Sequence, residues 1–195
     1  MPVTTTNLIQ GPADLFWGTF GVTEPAKADI VGNYFEDLPV ADLWHDCGGT
    51  QGGLTLELNQ EYGELEVDQI VDVPESRLTK RVYKVNTNLA EPTLDNFKIV
   101  ANGGTITEGA GYRDYEPDMD NSAVSPRYGA ILVQGIAPAG MRRWVIVRKV
   151  LNEATVGSEQ LKDGQAVFPT EFKSHYITRA IRPFTKIDEI DSSGS

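Results

Sequence analysis

The sequence predicts a mainly β fold, a β-sandwich or barrel with one short flanking α-helix and long loops. Glycine, proline and polar residues divide the chain into short segments, and several of these are rich in Val, Ile, Thr and Tyr, which is typical of strands. Only one segment has the start signals and apolar spacing of a helix. With 195 residues, 40% of them hydrophobic, we expect a single domain over 1–195, with an N-terminal arm at about 1–45 and a flexible tail at 191–195.

The clearest strand is predicted near residue 53. Over residues 53–61 apolar and polar side chains alternate, so that leucines occupy one face and the opposite face carries Thr55, Glu57, Asn59 and Glu61. Residues 64–72 alternate again and are acidic, whereas residues 77–89 are predicted to form a strand that carries several basic side chains. An acidic strand is therefore expected to precede a basic one, with a turn between them at Pro74.

The single helix is predicted to begin near Pro92. Proline suits the first turn, and the glutamate before it complements the helix dipole. Leu94, Phe97 and Val100 are spaced to share one face. Two consecutive glycines are expected to end the helix after about ten residues, which is too short to be stable without a sheet to pack on.

The second half of the chain is predicted to return to strands after a long loop. Residues 101–127 show no usable periodicity and are expected to form that loop. Strands follow at 128–136 and 142–151, joined as a hairpin by Ala-Pro-Ala-Gly. The centre of 142–151 is almost wholly β-branched or aromatic, so we expect this strand to lie in the middle of the core. Segments 166–177 and 182–187 are predicted to supply two more strands.

Composition argues against several functional classes. Cys47 is the only cysteine, and with His45 and His175 as the only histidines the chain can form neither an internal disulfide nor a typical zinc site. The N-terminal residues do not resemble a signal peptide, and no run approaches 18 apolar residues, so we expect no membrane association. At a pI of about 4.6 the chain would repel phosphates, and stable nucleic-acid binding is not expected.

Charge is polarised along the chain. The formal net charge is −11. Residues 1–72 contain 13 acidic side chains and one basic side chain, Lys27, for a net −12, whereas residues 73–195 contain 15 acidic and 16 basic side chains, for a net +1. Two interpretations stay open. The acidic half serves solubility, or an acidic patch on one subunit meets a basic patch on another copy of the chain.

Three short motifs suggest chemistry that their surroundings do not support. The glycine cluster at 48–53 lacks the Gly-Lys-Ser/Thr ending of a phosphate loop and precedes a strand, so a tight turn is the better interpretation. Asp118 and Asp120 resemble the start of a calcium loop without its later glycine and glutamate, which leaves open only a weak, opportunistic cation site. His45 and Cys47 have no third orienting group. We therefore predict no enzymatic activity and no cofactor.

Several sequence blocks follow one another along most of the chain, namely residues 11–21 (Gly-Pro-Ala-Asp-Leu-Phe-Trp-Gly-Thr-Phe-Gly), 46–56 (Asp-Cys-Gly-Gly-Thr-Gln-Gly-Gly-Leu-Thr-Leu), 60–72, Lys80-Arg81, 88–97, Arg142-Arg143 and 162–172 (Lys-Asp-Gly-Gln-Ala-Val-Phe-Pro-Thr-Glu-Phe). Taken in this order, the blocks resemble the major tail protein of long-tailed bacteriophages (siphophages), particularly those of actinobacterial hosts.

The resemblance implies a structural protein of the virion. In that family, β-sandwich subunits with one flanking helix close into hexameric rings whose sheets join as an inner barrel, and stacked rings form a tube around the tape-measure protein that later conducts DNA. Tail terminator and tail-tip proteins are the other implied partners. The implied location is the virion tail, after assembly in the host cytoplasm, with no membrane involved.

Combined with the strand pattern, the resemblance predicts two functional surfaces. The lumen-lining residues would be Thr55, Glu57, Asn59 and Glu61, because alternation places them opposite the leucines and a barrel has only an inside and an outside. Their acidity suits a conduit that must not retain DNA. The ring-stacking or subunit interface would use the acidic and basic strands, namely Glu64, Glu66, Asp68, Arg77, Lys80, Arg81 and Lys84.

Two alternatives remain open at this point. A tube component of a bacterial contractile injection or secretion system would share the same architecture. A glycan-binding β-sandwich module is a different class of protein, and it would use aromatic side chains, for which the candidates are Trp17, Trp44, Tyr34 and Tyr115.

Overall fold

A computed structural model describes residues 11–65, 72–73, 75–119, 125–157 and 162–190, and the fold over these residues is mainly β with one short helix, as predicted. The predicted flexible tail at 191–195 lies outside the described residues. In chain order the elements are β1 (Asp14–Thr19), β2 (His45–Asp46), β3 (Thr50–Leu65), β4 (Glu75–Leu89), α1 (Leu94–Val100), β5 (Thr105–Gly109), β6 (Tyr112–Glu116), β7 (Gly129–Ile136), β8 (Arg142–Asn152), β9 (Phe168–Ser174) and β10 (Phe184–Asp188).

One large antiparallel sheet organises the domain. Its strands follow the order β2-β1-β7-β8-β9-β4-β3. β8 pairs with β7 along one edge, as the predicted hairpin requires. Its other edge is divided, because Arg143 to Val147 pair with β10 and Val150 to Asn152 pair with β9. The sheet therefore forks at β8, which is the central strand that the sequence predicts.

Both faces of β8 are buried, and each contributes to a different core. Val145 and Val147 are fully buried in a first core formed with side chains of β1, β4, β7, β9 and α1. Trp144 and Ile146 point the other way into a second core. The domain is thus layered, with the β9-β4 part of the sheet on one side of β8 and a segment of 3-10 helices on the other.

The second core is covered by 3-10 helices within residues 27–43, which the sequence analysis assigned to the N-terminal arm. Three short 3-10 helices, Lys27–Ile30, Phe35–Asp37 and Pro39–Leu43, lie over β1, β7 and β8. Phe35 is fully buried, and its ring meets the rings of Phe16, Trp44 and Trp144 edge-on at 4.8, 5.8 and 6.0 Å. The interpretation of 1–45 as an arm is therefore wrong for its described part, because β1 also belongs to the sheet.

Gln134 ties this segment to the sheet through buried hydrogen bonds. Its Oε1 accepts from the backbone N–H of Phe35 at 2.6 Å and from the indole N–H of Trp144 at 3.1 Å. Its Nε2 donates to Glu36 at 2.8 Å. A buried amide must satisfy its donors and acceptor locally, so Gln134 fixes where the 3-10 segment lies.

Two further expectations are corrected. Residues 101–127 are not a plain loop, because β5 and β6 form a two-stranded sheet that packs on α1 through an edge-on contact of Tyr115 with Phe97 at 4.9 Å. The helix has seven residues instead of about ten, and Thr93 caps it by accepting from the N–H of Asn96. Its buried residues are Asn96, Ile99 and Val100, whereas Leu94 and Phe97 are only partly covered.

Because both faces of β8 are buried, a charged side chain at position 145 should strongly destabilise the domain. Val145→Asp should lower the free energy of unfolding by at least about 3 kcal/mol, since the carboxylate has no partner in the first core. Val31→Asp is the matched control, because Val31 is 60% exposed and the change should cost no more than about 0.5 kcal/mol. Urea denaturation measures both. Equal midpoints for the two variants would contradict the placement of β8.

Candidate assembly interface

The most unusual surface of the molecule is the outer half of the β3–β4 hairpin. β3 has 16 residues and β4 has 15, against a usual strand length of about 5–6. Near the body of the domain, Leu54 and Leu56 pack on the first core beside Val85. Farther out, residues 58–65 and 75–81, which we call the distal ribbon, are exposed at every position except the half-buried Gly63.

The distal ribbon leaves the domain at a stacked pair of rings. Tyr83 of β4 lies parallel to Phe184 of β10, with the ring centroids 4.4 Å apart. Beyond this contact the ribbon is only two strands wide. A two-stranded hairpin without a covered face is marginally stable in water, so this ribbon is the kind of element that gains from a partner surface.

One face of the distal ribbon continues the apolar stripe of the core. Leu58 and Tyr62 alternate in phase with Leu54 and Leu56, yet they are 45% and 58% exposed. Tyr62 pairs across the ribbon with Leu78, which is also exposed. Contiguous exposed apolar side chains rimmed by polar residues mark interaction sites on folded proteins.

Besides the exposed apolar face, the outer edge of β3 is a second feature that could bind a partner. Among the described residues, β3 pairs with β4 alone, and β10 likewise pairs with β8 alone. The unpaired N–H and C=O groups of a long edge strand form a template for another strand. The distal ribbon and the β3 edge together therefore define the candidate assembly interface.

The predicted lumen residues share one face, as the alternation requires, but that face is not simply acidic. Thr55, Glu57, Asn59 and Glu61 lie opposite residues of β4 that include Lys84 and Lys80. Lys80 donates to Glu61 at 2.8 Å, and the side-chain amide of Asn86 donates to Glu57 at 3.3 Å.

Lysines and glutamates also alternate farther across the same face. Lys84 forms an ion pair with Glu171 of β9, and this hydrogen bond raises the pKa of Lys84. Lys173 pairs with Glu153 at 2.8 Å. The expectation that this face is acidic is corrected, because the basic strand β4 lies directly beside β3 and the face carries mixed, largely paired charge.

The residues predicted for stacking fall into three groups. Glu64, Arg77 and Arg81 are exposed on the distal ribbon and have no ion-pair partner among the described residues. Lys80 and Lys84 are already paired within the subunit, and Lys84 lies in the body of the sheet. Glu66 and Asp68 lie outside the described residues.

Sequence reasoning missed the exposed apolar face formed by Leu58, Tyr62 and Leu78. A signal was present in the sequence, because the alternating runs at 53–61 and 64–72 follow each other closely and the strand predicted at 77–89 is also much longer than a usual strand. The β-bulge at Thr79, where Glu61 pairs with Lys80 and Tyr62 with Leu78, has no sequence signature of its own and changes which β4 residues share a face.

The glycine cluster does not form one tight turn, because it is divided between the β2–β3 connection and a bulge inside β3 between Gln51 and Leu54. Gly48, Gly52 and Gly53 have φ of 73°, 80° and 85°. The backbone N–H of Gly49 donates to the Glu91 carboxylate at 3.0 Å, and a Cβ on Gly48 would lie 2.3 Å from that carboxylate. A carboxylate in this position would repel a phosphate, which is further reason to reject a phosphate-loop function.

The side chains of the remaining candidate chemical motifs make structural contacts within the domain. Asp118 accepts from Arg127 at 2.6 Å and from the backbone N–H of Gly104 at 2.9 Å, and Asp120 lies outside the described residues. No group of three or more His, Cys, Asp or Glu side chains in the described part of the chain is placed to hold a metal ion. His45 contacts Asn96 at 3.2 Å, and Cys47 is buried.

The aromatic side chains proposed for glycan binding do not form one surface. Trp44 is buried in the second core, with its indole N–H bonded to Thr23 O at 3.1 Å. Trp17 packs against the first core on the opposite face of the sheet. Tyr34 lies under the Arg142 guanidinium, 4.2 Å from its ring centroid, and Tyr115 contacts α1.

In comparisons with known proteins, no protein-family model matches the chain and no curated protein matches it at a significant level. No helix within the described ranges is long and apolar enough to cross a membrane. Function is therefore inferred from the surfaces of the chain itself.

The environment of Cys47 predicts an unreactive thiol. Burial, with a smaller contribution from the Asp46 charge, raises the pKa of Cys47 from 9.0 to about 12, so the thiolate fraction at pH 8 falls from about one in ten to about one in ten thousand. Iodoacetamide should alkylate the native protein at pH 8 roughly a thousandfold more slowly than the guanidinium-unfolded protein. Rates within about tenfold of each other would instead indicate an accessible, activated cysteine.

Proposed function

We propose that the protein is a structural subunit of a bacteriophage tail tube, which self-assembles into stacked hexameric rings and conducts DNA during ejection. The observation that carries this proposal is the distal ribbon, a long two-stranded extension with an exposed apolar face and, within the described part of the chain, a strand edge that has no neighbour. The order of sequence blocks that resemble the major tail proteins of siphophages supports the same conclusion.

Assembly through the distal ribbon is supported by the physical needs of the isolated subunit. The ribbon exposes Leu58, Tyr62 and Leu78, and the β3 edge has no strand beside it among the described residues. A neighbouring subunit could cover both features at once by adding a strand and burying the apolar face. Because the contact would join different surfaces on the two copies, it is heterologous and can build rings or filaments.

The mixed-charge face of β3, β4 and β9 suits the wall of a DNA conduit. DNA binds a basic surface mainly by releasing counterions from its phosphates. On this face the cations of Lys80, Lys84 and Lys173 already have carboxylate partners. We infer that such a wall offers DNA little net binding energy, so that DNA slides past it.

The proposed partners and location follow from the tube. The lumen would hold the tape-measure protein before DNA passes, and terminator and tail-tip proteins would bind the two ends of the stack. Subunits would be made in the host cytoplasm and function in the virion tail. The chemical motifs are occupied by structural contacts, which supports a role in assembly without catalysis.

Purified protein at high concentration should form rings or tubes, and the apolar face of the distal ribbon should be required. Leu58→Ser with Leu78→Ser should leave the melting temperature close to wild type, because both side chains are exposed, yet should reduce assembly. Met119→Ser is the control, since Met119 is 75% exposed on another surface. Sedimentation and negative-stain microscopy measure assembly. A wild-type protein that stays monomeric even with tape-measure protein or initiator complex would refute the proposal.

The lumen assignment is tested by reversing charge on the predicted face. In virions, Glu57→Lys with Glu61→Lys should leave tubes intact but slow DNA release, because unpaired lysines would now bind phosphates, and high salt should relieve the defect. Asp114→Lys with Glu116→Lys on β6 is a control of equal charge. Unchanged ejection kinetics in the first variant, or a tube structure with Glu57 on the outer wall, would show that this face does not line the lumen.

A further inference from the structure

Basic side chains that lack an ion-pair partner converge on one cleft at the base of the distal ribbon. The cleft has a volume of about 800 Å³. Five basic residues line it, and these are Lys27, Arg81, Arg148, Arg182 and Lys186. Arg148 is paired with Glu24 at 2.6 and 2.8 Å, whereas the other four have no acidic side chain within 4 Å among the described residues. We call this the basic cleft.

The basic cleft is unusual in a chain whose net charge is −11. Elsewhere on the described surface many cations are paired within the subunit, as in Arg142 with Glu189 and Arg143 with Asp188. The lining of the cleft also includes Pro183, Phe184 and the 45% exposed Ile181. A mainly polar recess with excess positive charge and a few apolar side chains fits a ligand that is acidic and carries a small apolar part.

A surface of that chemistry lies elsewhere on the same chain. The 3-10 helices Phe35–Asp37 and Pro39–Leu43 expose Glu36, Asp37 and Asp42, which form no ion pair among the described residues. Pro39–Leu43 has no buried residue, and Leu43 is 57% exposed beside Asp42. We call Glu36, Asp37, Asp42 and Leu43 the acidic ridge.

We propose that the basic cleft of one subunit binds the acidic ridge of a second copy of the chain. This inference rests on the proposed function, since it names the contact that joins subunits next to the distal ribbon. Arg81 belongs to both the ribbon and the cleft, so the two surfaces are continuous. The carboxylates meet the cations that lack ion-pair partners among the described residues, and Leu43 contacts the apolar lining residues Ile181 and Phe184.

The contact is heterologous, and this property makes it testable by charge exchange. Reversing two cations of the cleft (Arg182→Glu with Lys186→Glu) leaves three cations against two new carboxylates and Glu24, so the cleft loses its net positive charge. Reversing the ridge (Asp37→Lys with Asp42→Lys) leaves Glu36 as its one carboxylate and makes the ridge basic. Each variant alone should lose the attraction between cleft and ridge and raise the concentration needed for assembly by roughly tenfold or more.

Mixing the two variants in equal amounts should restore assembly, because the new glutamates of one variant then meet the new lysines of the other, and the two unchanged surfaces also meet. A single chain that carries all four substitutions should also assemble. Lys98→Glu with Lys162→Glu is a control with the same change of net charge outside the basic cleft, and it should assemble as wild type does. Sedimentation velocity and negative-stain microscopy at low and high salt provide the readout, and melting temperatures verify that each variant is folded.

The outcomes separate this inference from the proposed function. Wild-type tubes together with cleft and ridge variants that assemble at the wild-type concentration would overturn the cleft–ridge contact alone. Loss of assembly that neither the mixture nor the fourfold variant restores would also overturn it. Failure of the wild-type protein to assemble under any condition would overturn both.

Discussion

Burial of β8 on both faces is the constraint on which the rest of the domain depends. A strand with Val145 and Val147 on one side and Trp144 and Ile146 on the other needs a covering layer on each side. The β9-β4 portion of the sheet covers one face, and the 3-10 segment covers the other. The fork between β9 and β10 follows from the same strand, because two partners share one of its edges.

The distal ribbon depends on this body for its order. β4 pairs with β9 from Lys84 to Leu89 and contributes fully buried side chains such as Val85. Its first seven residues have no such support. Among the described residues, the ribbon is therefore supported from one end only, and its far part has both an exposed apolar face and an edge without a neighbouring strand. The assembly that we propose would cover both features.

Elements with long, regular patterns were predictable from sequence. β3 alternates apolar and polar side chains from Leu54 to Asn59, and β8 has a continuous β-branched or aromatic centre, so both could be placed before the structure was known. β5 and β6 were missed because each has only five residues, of which one in β5 and two in β6 are partly buried, and this leaves no period to detect. The 3-10 segment was missed because the burial of Phe35 depends on Gln134, which is 99 residues away.

The candidate site was predictable only in part for a related reason. Sequence places Glu57 and Glu61 on one face of a strand, but the charge of that face depends on the register with β4 and on the bulge at Thr79. Register is decided by tertiary packing. Without it, the lysines that neutralise the glutamates could not be assigned to the same surface, and neither could the clustering of Arg81 with Arg182 and Lys186.

The continuity of β4 also determines how the domain would carry mechanical force. A pull applied at Leu78 travels along the strand to Val85 and Leu89, which lie in the first core, and across hydrogen bonds to β9. Force along the strands loads these hydrogen bonds in shear, so that all of them resist at the same time instead of opening one after another. Resistance to such force is governed by the rate of unfolding. In the assembly that we propose, tension would therefore pass between subunits through strands anchored in packed interiors.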